Sequence, residues 1–162
     1  MPSSANASCV GGSANLTQVE CETWQEMYDQ WSPTWSVGAA ECGPLARRDP
    51  CNHCTGRMHC VGQGANNPEC GQNGLVCGGL QRMYWNSQNI RGTVPASIQK
   101  LTELTYLSLG DNPFLTGTLP AGMAQLTNLI DLNLQNTGLT GPMPKFNFNQ
   151  FFSGPGKPLK TT

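Results

Sequence analysis

The chain has 162 residues, enough for one domain with its own core or a domain with a dependent cap, and too few for two independent folding units. Nine basic residues face ten acidic ones, for a net charge of -1, and no run of like charge exceeds the pair Arg47 and Arg48. That balance gives no long-range field to draw nucleic acid or anionic lipid, and no apolar run approaches the roughly 18–20 residues a membrane helix needs.

All eight cysteines (Cys9, Cys21, Cys42, Cys51, Cys54, Cys60, Cys70 and Cys77) lie in the first half. An even number of cysteines in a loop-rich segment poor in aliphatic residues reads as a disulfide framework made in an oxidising compartment. The triplets beginning at Asn6 and Asn15 are glycosylation acceptors and agree with secretion. The first residues lack the charged and apolar regions of a signal peptide, so a signal is expected to have been removed and Met1 added in its place.

Residues 1–14 are small and polar, a flexible lead tied down at Cys9. Residues 15–79 read as a cap. Within it, Leu16, Val19, Trp24, Met27, Tyr28 and Trp31 fall at helical spacing, with Asn15 expected to cap the helix, Gln18 three positions on, and Pro33 to stop it. Trp24, Trp31 and Trp35 are expected in the core of this cap. From Cys42 to Gly79, Gly, Asn, Pro and Cys dominate without a sustained period, which predicts loop held by bridges.

Residues 80–144 follow a different grammar. The triplets Met83-Tyr84-Trp85, Leu107-Ser108-Leu109 and Leu132-Asn133-Leu134 alternate apolar, polar, apolar and stand 24 and 25 residues apart. After each come an aliphatic residue (Ile90, Leu115, Leu139), a glycine (Gly92, Gly117, Gly141) and a proline (Pro95, Pro120, Pro144). Such a period is that of a leucine-rich repeat. Each triplet is a short strand with two side chains pointing into a solenoid and the middle one outward on the concave side. One coil cannot bury its own leucines, whereas stacked coils can. Three residues beyond each strand, the slot where an asparagine would satisfy the turn's backbone holds Gln88, Asn112 and Thr137, which predicts an irregular internal ladder.

At these residues the chain resembles the plant-type leucine-rich repeats, whose Leu-Thr-Gly-x-Leu/Ile-Pro ending stands here as Leu115–Pro120 and, with Met143 before the last proline, as Leu139–Pro144. It is also similar to leucine-rich-repeat surface antigens of protozoa. Caps of this family carry an aromatic helix, an Asp-Pro-Cys and a Gly-Val-x-Cys before the first strand. Trp24 to Trp31, Asp49-Pro50-Cys51 and Gly74-Leu75-Val76-Cys77 match them. The resemblance implies an α/β solenoid: a short right-handed coil of about 2.5–3 repeats behind a disulfide-rich, helix-containing N-terminal cap. It also implies a bridge between Cys51 and Cys77, although the inserted Cys54, Cys60 and Cys70 leave the pairing open.

Chemistry finds little support. Cys51, His53, Cys54, His59 and Cys60 crowd ten residues and could bind zinc, but no second Cys-x-x-Cys knuckle exists, and disulfides are the better reading. A redox Cys-x-x-Cys would sit among alternating strands and helices that are missing. The two histidines are both in the cap loop, Gly62-Gln63-Gly64 is too short for a phosphate cradle, and Asp111 with Asp131 reads as partner-facing charge. No catalysis, cofactor or metal is expected.

The outward positions define the candidate partner-binding residues: Arg82, Tyr106 and Asp131; Tyr84, Ser108 and Asn133; Asn86 and Gln135; and Asp111. Tyrosines flanked by Arg, Asp and amides suit recognition of a protein or glycan at the cell surface or in secretion. The rival is a structural subunit that self-associates end to end into a surface layer, wall or filament. Its motive is residues 145–162, where Phe146, Phe148, Phe151 and Phe152 precede a basic tail and would either cap the solenoid or dock on a neighbour. An ice-binding solenoid would need flat threonine ladders, and the pairs Thr93 with Thr118 and Thr116 with Thr140 are too short.

Overall fold

The computed structural model describes Cys9 and residues 16–34, 42, 44–54, 57–60 and 79–146. Asn6, Asn15, Trp35, Cys70, Cys77, Phe148, Phe151 and Phe152 lie outside these residues. Helix α1 runs over Gln18–Trp31. Short 3-10 turns follow at Ser32–Thr34 and Pro44–Arg47, then the single-turn helix α2 at Pro50–His53 and strand β1 at Met58–Cys60. Beyond them come β2 (Leu80–Tyr84), β3 (Tyr106–Ser108), β4 (Thr116–Thr118), β5 (Asp131–Asn133) and β6 (Gly138–Thr140), with 3-10 turns at Ala96–Lys100 and Ala121–Gln125.

The cap of α1 is Thr17 rather than Asn15. The Thr17 hydroxyl accepts the Glu20 N–H at 3.2 Å, while Glu20 Oε2 accepts the Thr17 N–H at 3.0 Å and its hydroxyl at 2.8 Å. This capping box satisfies two orphan donors reciprocally, which the Asn15 and Gln18 pair would not, because Gln18 already stands at the first helical position. Glu20 does more than cap. Its other oxygen, Oε1, accepts the Leu80 N–H at 3.3 Å, joining the start of the helix to the start of β2.

Helix α1 lies along the first coil as a strap. Trp24, Met27 and Trp31 are fully buried, and Trp24 stacks on Trp85 with ring centroids 5.7 Å apart. Trp24 Nε1 donates to the Ala46 carbonyl at 2.7 Å, and Trp31 Nε1 to the Thr93 carbonyl at 3.1 Å, so both indoles of the helix have their partners. An exposed bidentate pair, Arg47 with Asp29, ties the Pro44–Arg47 turn to the helix at 2.6 and 2.7 Å.

Three disulfides join the described cysteines: Cys9 with Cys21, Cys42 with Cys54, and Cys51 with Cys60. The expected Cys51–Cys77 bridge is therefore overturned. The turn after α2 folds β1 back against β2, which brings Cys60 to Cys51 within a loop of nine residues, a local closure available before any distant partner. The segment expected to be loop also contains structure. In β1, Met58 pairs antiparallel with Met83 and is fully buried.

The concave sheet runs β1-β2-β3-β5, antiparallel at the first pair and parallel after it. Behind it the leucines of successive coils (Leu80, Leu101, Leu104, Leu107, Leu126, Leu129) form one core with the aromatics of the cap. A second, smaller sheet, β4 with β6, lies on the convex side after the Gly92↔Leu115 bridge. Here Gly117 holds φ +83° with the Thr93 methyl 3.1 Å from where a Cβ would stand, so both backbone sign and space require glycine.

Asn112 is fully buried between the first two coils. Its Oδ1 accepts the N–H groups of Gln88 and Ile90, both at 3.0 Å, and its Nδ2 donates to the carbonyls of Trp85, Leu109 and Gly110 at 2.8, 2.7 and 3.1 Å. The neighbouring slots do less: among the described residues Gln88 Nε2 reaches only the Asn86 carbonyl, and the Thr137 hydroxyl only the Leu134 carbonyl. Each buried group left unsatisfied costs about 1–3 kcal/mol. Asn112→Ala should therefore lower unfolding free energy by about 2–4 kcal/mol, against less than about 1 kcal/mol for Thr137→Ala, measured by urea titration.

The three bridges close loops of nine to twelve residues, each worth roughly 2.5–3 kcal/mol in the chain-entropy model. Because α1 covers the open face of the first coil, strong reductant should abolish the circular-dichroism signal of the coils as well as that of the helix. Coils that kept their signal would show that they stand without the cap.

Candidate recognition face

The strand registers place the outward residues in rows across the sheet. Arg82 stands opposite Tyr106, and Tyr106 opposite Asp131; Tyr84 stands opposite Ser108, and Ser108 opposite Asn133. Neighbouring positions Met83, Leu107 and Leu132 are buried, so the alternation that aims these rows outward is fixed by the core. Past the strands the parallel ladder continues, with the N–H of Trp85 and Ser87 donating to the carbonyls of Ser108 and Gly110, and those of Leu109 and Asp111 to Asn133 and Gln135.

Not all predicted positions present themselves equally. Arg82, Asp131 and Gln135 are exposed; Tyr84, Asn86, Tyr106, Asp111 and Asn133 are half-buried. Ser108, at 8% exposure, is buried and offers little surface, because its short side chain sits between the longer Tyr84 and Asn133 in its row. Asn133 leans over Gly110, where its amide would lie 3.0 Å from a Cβ, and its Oδ1 accepts the Gln135 N–H at 3.1 Å. Phe146 is buried in the core at the far end rather than displayed.

The guanidinium of Arg82 lies 4.7 Å from the centroid of the Tyr106 ring, a cation–π contact between adjacent strands. Asn136 Nδ2 donates to Asp111 Oδ1 at 2.7 Å one row further on. Two features were missed by sequence reasoning. One is β1, which adds a fourth strand to this face and sets His59 opposite Arg82 in the backbone register. Its signal was the apolar, polar, apolar run Met58-His59-Cys60. The other is the left-handed backbone of Ser87, Asp111 and Asn136, at φ +56°, +58° and +53° at the same position of successive coils, to which the first coil adds Asn89 at +55°. Small polar residues tolerate that conformation, and the repeat of such residue types was the available clue.

The thiols a zinc site would need, those of Cys51, Cys54 and Cys60, are bonded to one another or to Cys42. Among the described residues there is no cluster of three or more potential metal ligands, and no helix is long and apolar enough to cross a membrane. An apolar groove lies away from the sheet, between the turn at Leu119 and Pro120 and that at Met143 and Pro144.

Parallel strands, a coil period near two dozen residues and a disulfide-bonded helical cap make this chain a short leucine-rich-repeat solenoid with a cysteine-rich cap. The Leucine Rich Repeat family model matches residues 103–126. Among solved structures, the leucine-rich-repeat ectodomain of the receptor kinase SOBIR1 from Arabidopsis thaliana superposes with a TM-score of 0.56 at 19% identity, covering 84% of this chain and 62% of that one. A plant ice-binding protein superposes with a TM-score of 0.58 at 18% identity, covering 85% of this chain and 38% of that one. The chain thus spans less than two thirds of the length of either. Comparison with curated protein sequences finds no match.

The contact between Arg82 and Tyr106 is on the surface, where such pairs contribute about 0.5–1 kcal/mol. A double-mutant cycle of Arg82→Ala and Tyr106→Leu should return a coupling of that size, and Arg82→Ala alone should lower the melting temperature by about 1–4 °C.

Proposed function

We propose that the protein is an extracellular recognition module that takes a protein or glycan partner on the concave face of β2, β3 and β5, and that it has no catalytic activity. The observation that carries this reading is the row of Arg82, Tyr106 and Asp131, charge, aromatic ring and opposite charge, mounted on strands whose alternate residues are locked in the core. Rigid aromatic and guanidinium side chains give contact area and directional bonds at small entropic cost, the composition that dominates binding energy at protein interfaces. Three disulfides in the cap and the ectodomain fold of the SOBIR1 neighbour support an extracellular setting. Glycans on Asn6 and Asn15 would fit the same setting.

Ice binding, named for the second neighbour, finds less support in this chain. On the convex side Thr118 stands opposite Thr140, but Thr116 faces Gly138, so among the described residues β4 and β6 form no continuous threonine ladder. For end-to-end assembly, the buried Phe146 is used within the chain and does not favour docking on another copy.

Tyr84→Ala and Tyr106→Ala should each weaken binding of a partner captured from the native cell surface by about 1–2 kcal/mol, with folding unchanged, by surface plasmon resonance. Thr118→Ala on the convex sheet should leave affinity within about 0.5 kcal/mol. Equal losses from the two faces would move the site off the concave sheet.

A further inference from the structure

We propose that the apolar groove between the second and third coils is a docking site for the chain's own residues 147–151, whose Phe148 and Phe151 rings pack on Ala124 and Met143 and close the distal end of the solenoid. This is independent of the concave-face reading. Leu119, Pro120, Ala121 and Ala124 line the groove from the second coil, Met143 and Pro144 from the third. Ala121 is exposed, and Ala124 and Met143 are half-buried.

The corresponding place between the first and second coils is closed. There the turn Ala96–Lys100 packs against the turn Ala121–Gln125, and the Gln99 side chain stands where a Cβ of Gly122 would be. Each of these turns follows a proline whose carbonyl accepts the N–H three residues on, from Ile98 at 3.2 Å and from Met123 at 3.0 Å. Both of those side chains are fully buried. The third coil departs from the pattern. The Pro144 carbonyl accepts from Phe146 at 2.8 Å, two residues on, and the buried Phe146 takes the inward slot one position early. In register with Ile98 and Met123 stands Asn147, which has no apolar side chain to offer the core. The apolar surface of Ala121 and Ala124 therefore falls to residues beyond Phe146.

Those residues are aromatic. Phe148 stands two positions beyond Phe146 and Phe151 five, and at about 3.6 Å per residue or less their Cα atoms lie within about 7 and 18 Å of that of Phe146. The tether starts at the groove, since Pro144 and Lys145 already line it. Methyl groups, proline rings and a thioether make a lining with few hydrogen-bond demands, and a methionine sulfur attracts an aromatic ring. So short a tether presents the rings at an effective concentration on the order of millimolar, well above that of a second copy in dilute solution. Another chain carrying the same rings is outcompeted.

The test uses the whole oxidised protein labelled with carbon-13 at its methionine methyl groups, with Met143→Leu to assign the Met143 resonance. Ring shielding should place that resonance upfield of the free methionine value. The double substitution Phe148→Ser with Phe151→Ser should return it to that value, while Phe152→Ser should leave it in place. Ala124→Glu, which puts a charge in the groove and leaves the phenylalanines intact, should also return it, and it decides the matter if the double variant does not fold. The resonance of the fully buried Met123 and the circular-dichroism spectrum report folding in every variant. A Met143 resonance at the free value in the parent, or one that ignores either the double substitution or Ala124→Glu, overturns the inference. So does an equal response to Phe152→Ser. An upfield shift that grows with protein concentration, or methyl contacts between labelled and unlabelled copies, gives the groove to a second copy and overturns it as well.

Discussion

Every coil of this solenoid has two apolar faces and can cover neither by itself. Leu101, Leu104 and Leu107 are buried because another coil lies on each side of them, and the first coil is covered because α1 supplies the missing neighbour. The stack of Trp24 on Trp85 is where cap and repeats become one core. Around it, Glu20 reaches the beginning of β2, Trp31 reaches the Thr93 carbonyl, and the Thr34 carbonyl accepts Asn89 Nδ2 at 2.8 Å. A helix of 14 residues, with the 3-10 turn that follows it, thereby touches the start of the concave strand, the turn after it and the convex crossing of the same coil.

The strands themselves are only three to five residues long and would not persist as isolated pairs. Their permanence comes from what lies behind and beside them: leucines on the inner side, Asn112 in the turn, and left-handed residues that carry the chain away from the sheet at the same point in each coil. The proposed recognition face inherits this rigidity. Arg82, Tyr106 and Asp131 project from backbone held by neighbours on both sides or, for Asp131, by β3 and the core residue Leu132.

Much of this was readable because alternation and a fixed period leave marks in single letters. The triplets centred on Tyr84, Ser108 and Asn133 gave the sheet register directly, and the helical spacing of Trp24, Met27 and Trp31 gave the core of the cap. Burial of Ser108 was not readable, since outward direction follows from period while exposure depends on the length of adjacent side chains. The helix start was misplaced by two residues although Thr17-x-x-Glu20 is itself the signature of a capping box. Cysteine pairing escaped for a different reason. Which thiols meet depends on how a loop folds back, and β1, whose pairing turns Cys60 towards Cys51, is too short to stand out among glycines and asparagines.

The side chain of Asn112 reaches backward, from the second coil into the turn of the first, and takes its interstrand partners from Gln88, Ile90 and Trp85. Dependence in this solenoid therefore has a direction, in which a later coil completes an earlier one while the cap end anchors the series. The growing end needs only a surface that another copy of the same period can cover. A further coil of the same period, added at the distal side, would meet a surface already shaped to take it and would leave the disulfide-bonded end unaltered. The charge row would change reach with it, each added coil extending the face by one strand spacing of about 4.8 Å.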